Sequence, residues 1–282
     1  MPHEGVDAFD KGLGSRFWNG DRFAFRAGLA LAALLTHTRQ AAPRGGKAVS
    51  EEASARPQSA SELETAASVT ARRSWNLIVL GVATVVLALS SVIAKAALFD
   101  AEVALFRAIN DLPQGLHSVV WPVMQYGTFI TIPALAVVAL VFRRFRLAVA
   151  MLLAGVGVYF VAIAIKSIVE RGRPAALLTG VEGREVFSKG SLGYPSGHAA
   201  VAAALTVVVA AHLSKRWAIA ALVLGFAVIF GRMYVGAHLP LDVLGGIALG
   251  AAAGSIVNLL IGPRPPTPSP PSRNPSWRSD GL

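Results

Sequence analysis

The sequence predicts an all-α fold: a six-transmembrane-helix bundle with an interfacial helix between spans one and two. Three observations lead there. Of the 282 residues, 54% are hydrophobic and 15% charged, whereas a soluble domain carries about a quarter charged residues. The apolar residues collect into six runs, each long enough to be read as a helix. The formal net charge is +10, yet most basic residues punctuate the apolar runs, which is how a membrane protein fixes its orientation.

Residues 1–73 are expected to be a mostly disordered cytoplasmic segment. Positions 40–73 are rich in Ala, Ser, Glu and Arg and lack an apolar period. Positions 27–35 are apolar but too short to cross a hydrocarbon core of about 30 Å. They suit the apolar part of a signal peptide, with Arg22 and Arg26 ahead, or a short amphipathic helix. Asp7, Asp10 and Asp21 favour the helix. The six-span domain, 74–262, has its spans at 75–98, 124–142, 147–168, 196–213, 217–233 and 240–261. Between the first two, 99–123 is mixed. Its Val103, Phe106 and Ile109 share one helical face, which places it flat in the interface. The Pro- and Ser-rich tail, 263–282, is expected to be disordered.

Arg72, Arg73, Arg143, Arg144, Arg146, Lys215, Arg216, Arg264, Arg273 and Arg278 all fall on one side of these spans. The positive-inside rule makes that side cytoplasmic and the chain a multi-pass protein of the cell membrane. Lys166, Arg171, Arg173, Arg184, Lys189 and Arg232 fall on the other side. Charge at membrane depth costs about 2.5–3.5 kcal/mol per residue on insertion scales, so these residues point to function. The chain has no cysteine, which excludes disulfides, thiolate metal sites and thiol nucleophiles.

Three clusters meet at that second face. Span three ends in Lys166-Ser-Ile-Val-Glu-Arg-Gly-Arg173-Pro174. Span four opens with Pro195-Ser196-Gly197-His198, and spans five and six are joined by Arg232-Met-Tyr-Val-Gly-Ala-His238-Leu-Pro-Leu-Asp242. Each has an ordinary structural reading. Lys166 and Arg173 can snorkel, Ser196 can cap a helix, His238 can be an interfacial histidine, and Asp242 can be an early-helix acid. Those readings do not account for three cations, two histidines and a carboxylate at one mouth. Arg171, Arg184 and Lys189 have no evident partner and keep the ordinary reading.

The chemistry these residues suit is phosphoryl transfer through a covalent intermediate. Lys166, Arg173 and Arg232 can surround a phosphate, arginine doing so bidentately. The amides near Ser196 and Gly197 open a helix and favour anions, and the small Gly197 lets backbone come close. One imidazole can attack phosphorus while a carboxylate fixes its tautomer. A second, protonated imidazole can give the leaving alkoxide its proton.

In this order and spacing, Lys-x6-Arg-Pro, Pro-Ser-Gly-His and Arg-x5-His-x3-Asp resemble the three signatures of the type 2 phosphatidate phosphatase superfamily. That superfamily includes bacterial lipid phosphate and polyprenyl diphosphate phosphatases and the vanadium haloperoxidases. The resemblance covers roughly 75–261. It implies that His238 is the nucleophile that forms a phosphohistidine, that Asp242 orients it, and that His198 is the general acid. Lys166, Arg173, Ser196, Gly197 and Arg232 then bind the phosphate. It also implies no metal or other cofactor, a lipid phosphate substrate (phosphatidate, phosphatidylglycerol phosphate or a polyprenyl diphosphate), and membrane lipid instead of nucleic acid as the partner. Where the family usually places Ser before the third-cluster arginine, this chain has Gly231.

Positions 199–213 of span four reach only about 22 Å, which sets His198 at or just below the outer interface. That depth suits a headgroup phosphate whose tails stay in lipid. Gly246, Gly250 and Gly254 form a small-residue face for close helix packing. A lipid phosphotransferase is the alternative on the same fold, whereas six spans argue against a haloperoxidase. A non-catalytic lipid-binding or transport protein is the alternative of another class. Transporters often show repeated halves and broken spans, and the sequence signals neither.

Overall fold

The computed structural model describes residues 60–186 and 190–263, all within one unit, 58–282. Segment 27–35, Lys189, Arg264, Arg273, Arg278 and the tail beyond 263 lie outside the described residues. The architecture is all-α. Among the described residues, the β structure amounts to one isolated bridge, between Gly172 and Leu192.

Helix α1 (Ala60–Ala96) starts well before the predicted span at 75. Hydropathy misses its first turns, but Ala, Glu and Leu at 60–66 are strong helix formers without being a membrane run. Val82, Val85, Leu89 and Val92 are each more than half exposed. A stripe of that size is tolerable where lipid is the solvent. Helix α2 (Asp100–Asn110) occupies the segment expected to lie in the interface. Its Val103–Phe106–Ile109 stripe turns inward, with Phe106 fully buried among Ala199, Met233, Leu239 and Val243.

The second predicted span is broken. Helix α3 (His117–Met124), a 3-10 turn (Gln125–Gly127) and helix α4 (Thr131–Val141) follow in order. The axis bends by 69° between 114–127 and 131–141. The Thr128 and Thr131 hydroxyls both donate to the Gln125 carbonyl, at 2.7 and 2.6 Å, so the break leaves that acceptor satisfied. A Cβ on Gly127 would lie 2.6 Å from the His198 carbonyl oxygen, so only glycine lets this turn sit so close to α7.

Helices α5 (Phe145–Val169), α6 (Pro174–Leu177), α7 (Gly197–His212), α8 (Lys215–Tyr234) and α9 (Pro240–Ile261) complete the bundle. Four helices, α1, α5, α8 and α9, are long and apolar enough to cross a membrane, and the bent pair counts as a fifth if taken as one span. Helix α7 has only 16 residues, about 24 Å at 1.5 Å per residue. Ala199, Ala200, Val201, Ala202, Ala204, Leu205, Val208 and Val209 on it are buried, so protein surrounds much of its length.

α9 packs chiefly on α7 and α1. Its four-residue glycine stripe faces α7, where a Cβ on Gly250 would collide with the Ala200 carbonyl oxygen and one on Gly246 with that of Ser196. Lys95 at the end of α1 donates to the Ile168 carbonyl at 3.0 Å, beside the first cluster. At the other end of the bundle, Arg146 donates to the Gly262 carbonyl at 2.6 Å.

Candidate active site

The three clusters converge because α5 and α8 end, and α7 and α9 begin, at one end of the bundle. Lys166, Arg173, Gly197, His198, Arg232 and His238 line a cavity of about 380 Å³, joined by Trp121, Gln125 and Glu185.

The third cluster owes its spacing to a helix ending. The Arg232 carbonyl at the close of α8 accepts the N–H groups of Ala237 and His238, at 3.0 and 3.2 Å. Gly236, with φ of 74°, takes the left-handed turn that such a reversal requires. Asp242 then caps α9, its Oδ2 accepting the Leu239 N–H at 2.9 Å. The capping role and the approach to His238 coexist, for His238 Nδ1 lies 3.7 Å from the same Oδ2. That separation is beyond a hydrogen bond, and the Gly193 backbone also interacts with the ring. His238 is buried, and its pKa is held well below the ordinary histidine value, first by burial and then by the Arg232, Lys166 and Arg173 charges. The imidazole is therefore neutral at neutral pH, with a lone pair available.

The second cluster opens α7. Ser196 is fully buried and its Oγ accepts the Ala199 N–H at 3.4 Å. It caps the helix, and its side chain is not part of the cavity lining. Gly197 lines the cavity, and a Cβ there would meet nothing within 4 Å, so an anion has room beside the first amides of the helix.

In the first cluster, Lys166 donates to the Leu192 and Gly193 carbonyls, both at 3.0 Å. Arg173 donates to Ser191 Oγ at 2.7 Å and the Ala237 carbonyl at 2.9 Å. Burial, then Arg232, lowers the Arg173 pKa from the usual arginine value. Both side chains are thus fixed by backbone and still face the cavity.

Three features of the site were not legible from sequence. Glu185 pairs with Arg232 at 2.9 Å, placing a carboxylate among the cations of the cavity. Arg171, for which no partner was expected, is buried between Glu102 and Asp242. Trp121 on α3 and Gln125 in the following 3-10 turn also line the cavity. Arg184 keeps its ordinary reading: it donates to the Asn110, Leu112 and Tyr234 carbonyls and stacks on the Tyr234 ring 4.2 Å away. Gly231, which precedes the third-cluster arginine, is packed against α3. A Cβ there would lie 3.1 Å from Val120 Cγ1 and 3.3 Å from Met124.

Residues 144–265 match the family model of the PAP2 superfamily. The fold is similar to the crystal structure of Aquifex aeolicus LpxE, with TM-score 0.53 and 25% identity, over 56% of this chain and 95% of that one. A transmembrane PAP2-type phosphatidylglycerolphosphate phosphatase from Bacillus subtilis aligns at TM-score 0.48 and 25% identity, over 62% of this chain and 93% of that one. Among curated proteins, no sequence matches this chain.

Proposed function

We propose that the chain is a multi-pass membrane member of the PAP2 superfamily, whose family model matches residues 144–265, and that it hydrolyses a lipid phosphate or diphosphate through a phosphohistidine. The observation that carries the reading is a neutral, buried histidine facing a cavity whose walls hold Lys166, Arg173 and Arg232.

In the proposed mechanism the substrate phosphate sits among Lys166, Arg173, Arg232 and the amides at Gly197. His238 Nε2 attacks phosphorus as the bond to the leaving oxygen breaks, and His198 gives that oxygen its proton. Asp242 stabilises the Nδ1–H as the ring gains positive charge. Such contacts are commonly long before substrate binds and tighten in its complex, which accommodates the 3.7 Å separation. Water then attacks the phosphohistidine, His198 takes up its proton, and inorganic phosphate leaves. No step calls for a metal. The cations act by stabilising charge that develops on the five-coordinate phosphorus.

The proposed active face is extracytoplasmic, supported by the basic residues at the opposite end of the bundle. Val186→Cys is expected to react with an impermeant maleimide in intact cells, and Ser214→Cys only after permeabilisation. The reverse pattern overturns the sidedness. The activity is tested by phosphate release from phosphatidate, phosphatidylglycerol phosphate and undecaprenyl diphosphate, with and without chelator. Release from at least one, undiminished by chelator, is expected. Release from none, or only with added Mg²⁺, contradicts the reading.

A further inference from the structure

We propose that Arg171 and Glu102 are a positioning pair, which holds the Asp242 carboxylate beside His238 and sets how much of its charge the imidazole feels. The inference rests on the phosphatase reading, in which His238 is the nucleophile. Neither residue lines the cavity, so neither is taken to touch substrate.

The Arg171 guanidinium donates to both oxygens of Glu102, at 3.0 and 2.6 Å, and its Nη1 also donates to Asp242 Oδ1 at 3.0 Å. The three side chains are 4%, 5% and 0% exposed. Glu102 Oε1 also accepts the Leu241 N–H at 2.9 Å, which pins α2 to the first turn of α9. With Oδ2 held by the Leu239 N–H, both oxygens of Asp242 are occupied and the carboxylate cannot rotate away from the ring. The backbone extends the tie. The Arg171 carbonyl accepts the Gly193 N–H at 2.7 Å, and the Asp242 carbonyl accepts the Ser196 N–H at 2.8 Å. All three clusters therefore meet around this one buried group.

The charge count gives the pair a second consequence. One carboxylate would balance Arg171, but two flank it. Glu102 takes the bidentate, stronger share, which leaves Asp242 part of its charge to present to His238. Removing Arg171 exposes the imidazole to an uncompensated carboxylate. Removing the charge of Glu102 makes Arg171 draw harder on Asp242. The two changes act on His238 in opposite directions, which a purely structural salt bridge has no reason to do.

The test uses purified full-length protein in detergent and a lipid phosphate that the wild type hydrolyses. Arg171→Gln is expected to lower kcat about 10- to 100-fold with KM within about twofold. It is also expected to move the acid limb of kcat/KM up by about one pH unit, whereas Glu102→Gln moves it down. The remaining groups facing His238 stay in place: Lys166 from α5, Arg173 ahead of α6, His198 from α7, Arg232 from α8 with its partner Glu185, and Asp242 from α9. Arg171→Lys, which keeps the cation but not the bidentate fork, is expected to lower kcat while its acid limb stays with that of the wild type. Acid limbs that stay put in both Gln variants, or move the same way, overturn the proposal. If Arg171→Gln yields no folded protein, Arg171→Lys and Glu102→Gln decide, and wild-type kcat and pH profile in both overturn it. Absence of phosphate release by the wild type itself would instead be a failure of the phosphatase reading.

Discussion

Helices α7 and α9 pack closely together, but on different terms at their two levels. Down the shaft, Gly246, Gly250 and Gly254 meet Ala199, Ala200, Ala203, Ala204 and Val207, and no buried charge intervenes among these contacts. At the mouth, the same helices begin with Ser196 and Asp242, and around them Arg171, Arg232, Glu102 and His238 are all buried. The shaft gains stability from close approach and dispersion. The mouth buries ions, which apolar side chains of the same volume could often replace at no loss of stability. Residues kept against that gradient are explained by chemistry. The comparison therefore says that mutations in the shaft should lower stability, and mutations at the mouth should lower rate.

The largest effect is expected at the mouth. Asp242→Asn with its amide oxygen in the place of Oδ2 keeps the acceptor for the Leu239 N–H, but it removes the negative charge beside His238 Nδ1 and turns an NH2 toward Arg171. A fall in kcat of about 10³- to 10⁴-fold is expected from steady-state phosphate release. Activity within a factor of about ten of wild type would remove Asp242 from the mechanism.

Next comes the shaft. Gly250→Val forces branched carbons against the Ala200 carbonyl and the Ala203 side chain. Overpacking of this kind costs about 1–3 kcal/mol, and a drop of several degrees in the thermal midpoint in detergent is expected, with kcat per folded molecule nearly unchanged. An unaltered midpoint would mean that the seam is looser than its geometry.

The smallest effect sharpens the boundary between the regions. Glu185 occupies Arg232, so an incoming phosphate must share or displace it. Glu185→Gln is expected to lower KM and the inhibition constant for vanadate by about two- to fivefold, roughly 0.4–1 kcal/mol, without raising kcat in proportion. Weaker vanadate inhibition would indicate that Glu185 aids binding.

How much of this was legible in sequence follows the same division. Apolar runs located α5, α8 and α9 to within a few residues and the end, but not the start, of α1, and the alternation of the spans brought the three clusters to one end. The break at 128–130 was not legible, because its cause is the close approach of α7 to Gly127 and not a local signal. The helix before position 75 was missed because helix propensity and hydropathy are different properties. The Val103–Phe106–Ile109 face was legible, but not that it packs on protein, because an amphipathic stripe looks the same whether it faces headgroups or a protein core. The Glu102–Arg171–Asp242 network joins residues far apart in the chain, so Arg171 showed no partner in sequence. Lys166, Arg173, Gly197, His198, Arg232 and His238 were singled out by their order and spacing, and all six line one cavity. Ser196 was singled out for phosphate, and in the structure its hydroxyl oxygen caps α7.

The central claim is that His238 carries the phosphoryl group. Its neutral, buried ring should remain unprotonated below pH 6.5, so the intermediate should form in mildly acidic buffer as well as at neutral pH. The most direct measurement is a rapid-quench single turnover with a phosphate-labelled lipid, followed by peptide mapping, for the wild type and for His238→Ala. The account predicts an acid-labile, base-stable label on the peptide containing residue 238 in the wild type. It predicts neither label nor turnover in His238→Ala that remains folded by circular dichroism. Continued turnover by His238→Ala, or a label on any other residue, would contradict it.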